Sequence, residues 1–143
     1  MYDSIFTKEN VTLVTLSEIP TDTVFRAELF NTIGNSGVSV DMICRPTDYR
    51  KRTRLDFTVD DKDLHEIMCI VAGFGIKSSA FSAGCCKVCV KDQRLAESCG
   101  ESGKIFSALA SHGVDILLVT TDYDEISVLV RSCDFEKAGC AVS

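Results

Sequence analysis

The chain has 143 residues, 45% of them hydrophobic and 25% charged, and a net charge of −6. That length allows one ordinary domain or two very small ones sharing a core, and the composition excludes wholesale disorder. The negative balance disfavours a nucleic-acid or anionic-membrane surface, and no apolar run approaches the roughly 18 residues of a bilayer span.

The first residues, MYDSIFTKEN, lack the basic and apolar parts of a signal peptide, so a cytoplasmic location is expected. Eight cysteines in such a setting read as reduced thiols rather than a disulfide framework. Cys86 and Cys89, preceded by Cys85, make the one spacing that hints at metal or redox chemistry. His65 and His112 are remote from it, and a tetrahedral site needs four convergent ligands, so neither a metal nor a cofactor is expected.

In chain order, Val11 to Leu16 (VTLVTL) is rich in β-branched residues and predicts a buried strand. Ser17-Glu18-Ile19-Pro20-Thr21-Asp22 follows as a polar loop ending in good helix caps. A helix to about Ser36 carries Phe25, Ala27, Leu29, Phe30 and Ile33 on one face, and Gly37 stops it. The segment 38–44 (VSVDMIC) predicts a strand, and Pro46 breaks it. A charged hairpin with Arg50, Lys51, Arg52 and Arg54 reads as a solvated tip. Leu55 to Val59 alternates as the next strand, and Asp60 to Lys62 introduce a helix with Leu64, Ile67, Met68 and Val71 as its apolar face, ending near Gly73. Between Gly73 and Gly84 small and polar residues fit either a linker or a weak strand. Strand character resumes at 86–90 (CKVCV).

From there the order repeats. Phe30, Ile33, Gly37, Val38 and Val40 correspond to Phe106, Leu109, Gly113, Val114 and Ile116 at one constant offset. Phe57-Thr58-Val59 corresponds to Val128-Leu129-Val130, and Asp63-Leu64 to Asp134-Phe135, at a slightly smaller one. Helix, stop, strand, hairpin and second helix recurring together mark a duplicated unit. Each copy is a βαββα pattern that one more strand would complete as a ferredoxin-like βαββαβ unit, an α+β fold with helices on one face of an antiparallel sheet. The expected division is 1–80 and 81–143. The second copy ends without its last strand, so 4–7 or 76–82 is expected to fill a sheet edge by exchange between the units.

The segments VTLVTL, GVSVDMI, LDFTV, KIFSALASHGVDILLVTTDYDEISVLV and DFEKA together resemble the tandem ACT-domain regulatory region of aspartokinases. The resemblance covers nearly the whole chain, is most specific over 104–130, and leaves no room for the family's kinase domain, so a stand-alone ACT-domain protein is expected. It implies side-by-side dimers that bind amino-acid effectors, commonly lysine or threonine, at interfaces between units. One site would use Ser17, Glu18, Ile19, Pro20 and Thr21 with Gly113, Val114, Asp115 and Ile116. Its mirror, the weaker one, would use Ser98, Cys99 and Gly100, at the end of the 95–100 loop, with Val38, Ser39 and Val40. Glu18 and Thr21 stand where the family carries aspartate and glycine.

The residues themselves show no nucleophile–base pair, phosphate loop or metal cluster, so no enzyme is expected. His112 reads as a polar residue at a helix C-terminus rather than as the base for Cys99. Asp122, Asp124 and Glu125 read as a solvated hairpin tip. The leading expectation is a non-catalytic amino-acid-binding regulatory homodimer acting on an amino-acid biosynthetic enzyme, without nucleic-acid or membrane partners. The alternatives are a ligand-free dimerisation or docking module and a separately made regulatory subunit of an aspartokinase.

Overall fold

In chain order the elements are β1 (Ser4–Ile19), α1 (Thr23–Asn35), β2 (Ile43–Cys44), β3 (Thr53–Asp60), α2 (Leu64–Gly73), β4 (Ser78–Lys91), α3 (Arg94–Glu97), α4 (Glu101–Ser111), β5 (Ile116–Asp122), β6 (Glu125–Arg131) and α5 (Phe135–Val142). The structure, a computed structural model, describes residues 2–20, 22–45 and 53–143. Thr21, Pro46 and the basic residues Arg50, Lys51 and Arg52 lie outside the described residues. Short 3-10 turns, Asp61–Asp63 and Ser132–Asp134, lead into α2 and α5.

The chain divides into two units, Asn10–Ala83 and Met1–Glu9 with Gly84–Ser143. Strands β1 and β4 are each shared between them: residues 4–9 of β1 belong with the second unit, and residues 78–83 of β4 belong with the first. Asn10 and Gly84, with φ of 59° and 72°, stand at the two crossing points. The segment left open between linker and strand is therefore the start of a 14-residue strand.

In the first unit the strand order is β2-β3-β1-β4. β1 and β3 pair antiparallel from Val11 opposite Asp60 to Leu16 opposite Leu55. Val14, Leu16, Leu55, Phe57 and Val59 pack against Leu29 and Ile33 of α1 and Ile67, Ile70 and Val71 of α2. In the second unit the order is β5-β6-β4-β1, and β4 pairs antiparallel with β6 from Cys85 opposite Arg131 to Lys91 opposite Glu125. Cys86, Val88, Val90, Ile126, Val128 and Val130 meet Ile105 and Leu109 of α4 and Ala138 and Val142 of α5. Both are ferredoxin-like α+β units, antiparallel sheets with two helices on one face.

Two local expectations are corrected. The strand expected over 38–44 is regular only at Ile43–Cys44. Upstream, Thr58 replaces the ladder: its Oγ1 accepts the Met42 N–H at 2.9 Å and its carbonyl accepts the Asp41 N–H at 3.0 Å. Met68, read as part of the buried face of α2, is 47% exposed, while Ile67, Ile70 and Val71 are buried. One residue past Ile67 turns a helical side chain about 100° away, out of the stripe.

Candidate functional site

At the end of β1 the register slips between Leu16 and Ile19, with one residue more on β1 than on β3. The slip is a bulge, and Glu18 within it has φ of 57°, a left-handed conformation that few non-glycine residues adopt. Bulges of this kind re-aim side chains. Downstream, Asp22 caps α1 by accepting the Phe25 N–H at 2.7 Å, so part of the anion-binding capacity of that helix end is already taken by the chain's own carboxylate.

The facing wall comes from the end of α2. Gly75, φ 70°, donates its N–H to Ala72, and Ile76 donates to Val71, the paired bonds of a Schellman stop. The stop turns Phe74 onto Phe25, ring centroids 5.8 Å apart and edge to face, and delivers the chain to β4. Between the walls lies a cavity of about 280 Å³. Ser17, Glu18, Ile19 and Pro20 line one side, and Phe25, Phe74, Gly75, Ile76, Lys77 and Ser78 complete it. Its lining thus holds one carboxylate and one ammonium over an aromatic floor. Sequence reasoning named the first four and missed the rest, because 74–78 carries no periodic signal; Lys77 between a helix-stop glycine and a strand was the available clue.

The other expected residues lie in the second unit. Gly113, φ 71°, ends α4; Val114 and Ile116 pack against that unit's core. Asp115 pairs with Arg131 and raises that guanidinium's pKa, and its N–H donates to Asp134 at 3.3 Å. In the weaker set, Ser98, Cys99 and Gly100 form the turn between α3 and α4, past the residues that directly follow β4. Val38 is buried in the first unit's core, Val40 packs against it, and Ser39 is exposed.

Cys85, Cys86 and Cys89 are buried along β4, and the Cys89 thiol donates to the Glu125 carboxylate. Burial first, and then Glu125, pushes that thiol's pKa up. Among the described residues no group of histidine, cysteine and carboxylate side chains could hold a metal ion. His112 bonds the Ala108 carbonyl through Nδ1 at 2.8 Å, at the end of α4. No described helix is long and apolar enough to cross a membrane.

Residues 81–142 match the family model of the ACT domain. The regulatory subunit of aspartate kinase from Thermus flavus superposes with a TM-score of 0.88 at 24% identity, over 99% of this chain and 95% of that one. The chain resembles the tandem ACT regulatory region of aspartokinases. An aspartokinase of Bacillus sp. (strain MGA3) is 25% identical over 138 residues, 92% of this chain and 33% of its own length. Escherichia coli aspartokinase III in complex with lysine and aspartate superposes with a TM-score of 0.74 at 20% identity, over 99% of this chain and 31% of that one. The chain thus spans about a third of the length of the curated relatives it matches.

Proposed function

We propose that the chain is an amino-acid-binding regulatory module of the aspartokinase type, taking a small amino acid of the lysine or threonine class in the cavity of the first ACT unit. The observation that carries this reading is the pairing of Glu18 and Lys77 in the lining of one cavity of about 280 Å³. An α-amino acid presents an ammonium and a carboxylate on one carbon; Glu18 suits the first and Lys77 the second through charge-assisted hydrogen bonds. Phe25 and Phe74 give its side chain an apolar surface. The effector then biases a partner aspartokinase, carried on the same or a separate chain, by a coupling of about 1–3 kcal/mol. In this reading it acts in the cytoplasm and as a homodimer.

Calorimetric titration with L-lysine and L-threonine tests the proposal. Saturable heat is expected, and Lys77→Ala should weaken binding about tenfold or more, since a hydrogen bond to a charged group contributes about 1.5–3 kcal/mol. Absence of heat and of any thermal shift across the common amino acids would sink it. The same titration on Asp115→Ala decides whether Gly113–Ile116 takes part: weaker binding keeps that segment in the site, and unchanged binding removes it.

A further inference from the structure

Ladder register aligns the two units residue by residue. Val14 lies opposite Phe57 as Val88 lies opposite Val128, and Phe57 and Val128 are equivalent positions of the repeat. Counting along, Asn10 falls on Gly84, both with positive φ; past the extra residue of the β1 bulge, Ile19, opposite Thr53, falls on Asp92, whose N–H bonds the Asp124 carbonyl, and Glu18 stands one residue before it. On the facing wall Lys77 immediately precedes Ser78, the first residue of β4, as Asp3 immediately precedes Ser4, the first residue of β1. The cavity walls of the first unit therefore have counterparts in the second, at Asp92–Arg94 and at Tyr2–Asp3.

In the second unit these walls touch. The Asp3 N–H donates to Asp92 Oδ2 at 3.1 Å, and Asp3 Oδ2 accepts the Gln93 N–H at 3.0 Å. The Arg94 guanidinium lies 5.8 Å from the centre of the Tyr2 ring, and Tyr2 packs against the core. Asp92 is 2% exposed. Arg94 grips both its oxygens, through Nε at 2.9 Å and Nη2 at 2.8 Å, and its own N–H adds a third bond at 2.8 Å. These bonds, Arg94's first and Asp3's N–H among them, hold the Asp92 carboxyl well below the usual carboxylate range.

We infer that the Asp92–Arg94 loop is a second amino-acid-type site, occupied in cis by Tyr2 and Asp3. The nitrogen of Asp3 meets a side-chain carboxylate and its own carboxylate meets a backbone N–H, the two contacts by which a free α-amino acid would be held, with a neutral peptide N–H in place of the ammonium and the carboxylate one carbon further from the nitrogen. Asp92 plays the part assigned to Glu18 in the first unit, and the inference rests on that reading. A tethered occupant acts at millimolar or higher effective concentration, so it outcompetes a free amino acid of ordinary affinity. Displacing it opens the site.

The test follows the backbone amide resonances of the full chain during titration with L-lysine, L-threonine and L-aspartate. In the wild-type protein those of Gln93 and Arg94 should stay still. In Asp3→Ala they should move with at least one of the three, with an apparent Kd about tenfold or more below any wild-type value, because the competent state is no longer depleted. Dispersed β6 resonances check the fold; if Asp3→Ala loses them, Asp3→Leu, which is close to aspartate in size but has no acceptor for the Gln93 N–H, takes its place with the same expectation. Equal movement in wild type and variant, or none in the variant, overturns the inference. The Ile76 and Lys77 amides report the first unit's cavity separately, so a failure there is told apart from a failure at Gln93.

Discussion

Glu18 holds a left-handed backbone at the lip of the cavity, with φ of 57°. Such a conformation costs an ordinary residue roughly 1–2 kcal/mol, and asparagine much less, because its short polar side chain bonds locally. The sequence places Glu18 in a loop but carries no sign of this strain, since the bulge exists only once β1 is paired with β3. Replacing Glu18 by either Val or Asn removes the carboxylate, and only Val worsens the backbone. Urea denaturation should therefore find Glu18→Val less stable than Glu18→Asn by about 1 kcal/mol or more. Equal stability would mean that Glu18 does not hold this conformation. Asp115, expected from the resemblance to face a ligand, pairs with Arg131 across the β5–β6 hairpin, a neighbour that no local pattern names.

At the scale of elements, helix positions were legible because their signals are local. Asp22, Gly37 and Gly113 mark the start of α1 and the ends of α1 and α4, as read from the sequence. Which side of a helix is buried was less legible. In α2, Leu-x-x-Ile-Met-x-x-Val fits two overlapping stripes, and packing against Val59 and Phe57 selected Ile67 and rejected Met68. Ile67→Ala should cost about 2–5 kcal/mol by transfer and cavity terms. Met68→Ala, at a position 47% exposed, should stay within about 0.5 kcal/mol. Thermal or urea unfolding of the two variants measures this directly, and comparable losses would contradict the placement of α2.

On the scale of the whole molecule, both β1 and β4 are shared between the two ferredoxin-like units, and residues 4–9 belong to the unit that lacks a last strand of its own. Removing residues 2–9 should thus expose an edge of β4. Hydrogen exchange at Cys85 to Val90 should accelerate about tenfold or more, while β3, paired with β1 from Val11 onward, keeps its protection. Unchanged protection in β4 would show that 4–9 is dispensable to that unit. By itself the sequence determined the duplicated strand–helix order, the helix stops and one wall of the cavity, because periodicity, capping and glycine punctuation act over a few residues. Only the tertiary structure decided that Lys77 shares a cavity with Glu18, that Asp3 meets Asp92, and which unit takes each half of a long strand. A strand's own alternation says which side faces the core; its partner is chosen by hydrogen bonds to residues far along the chain.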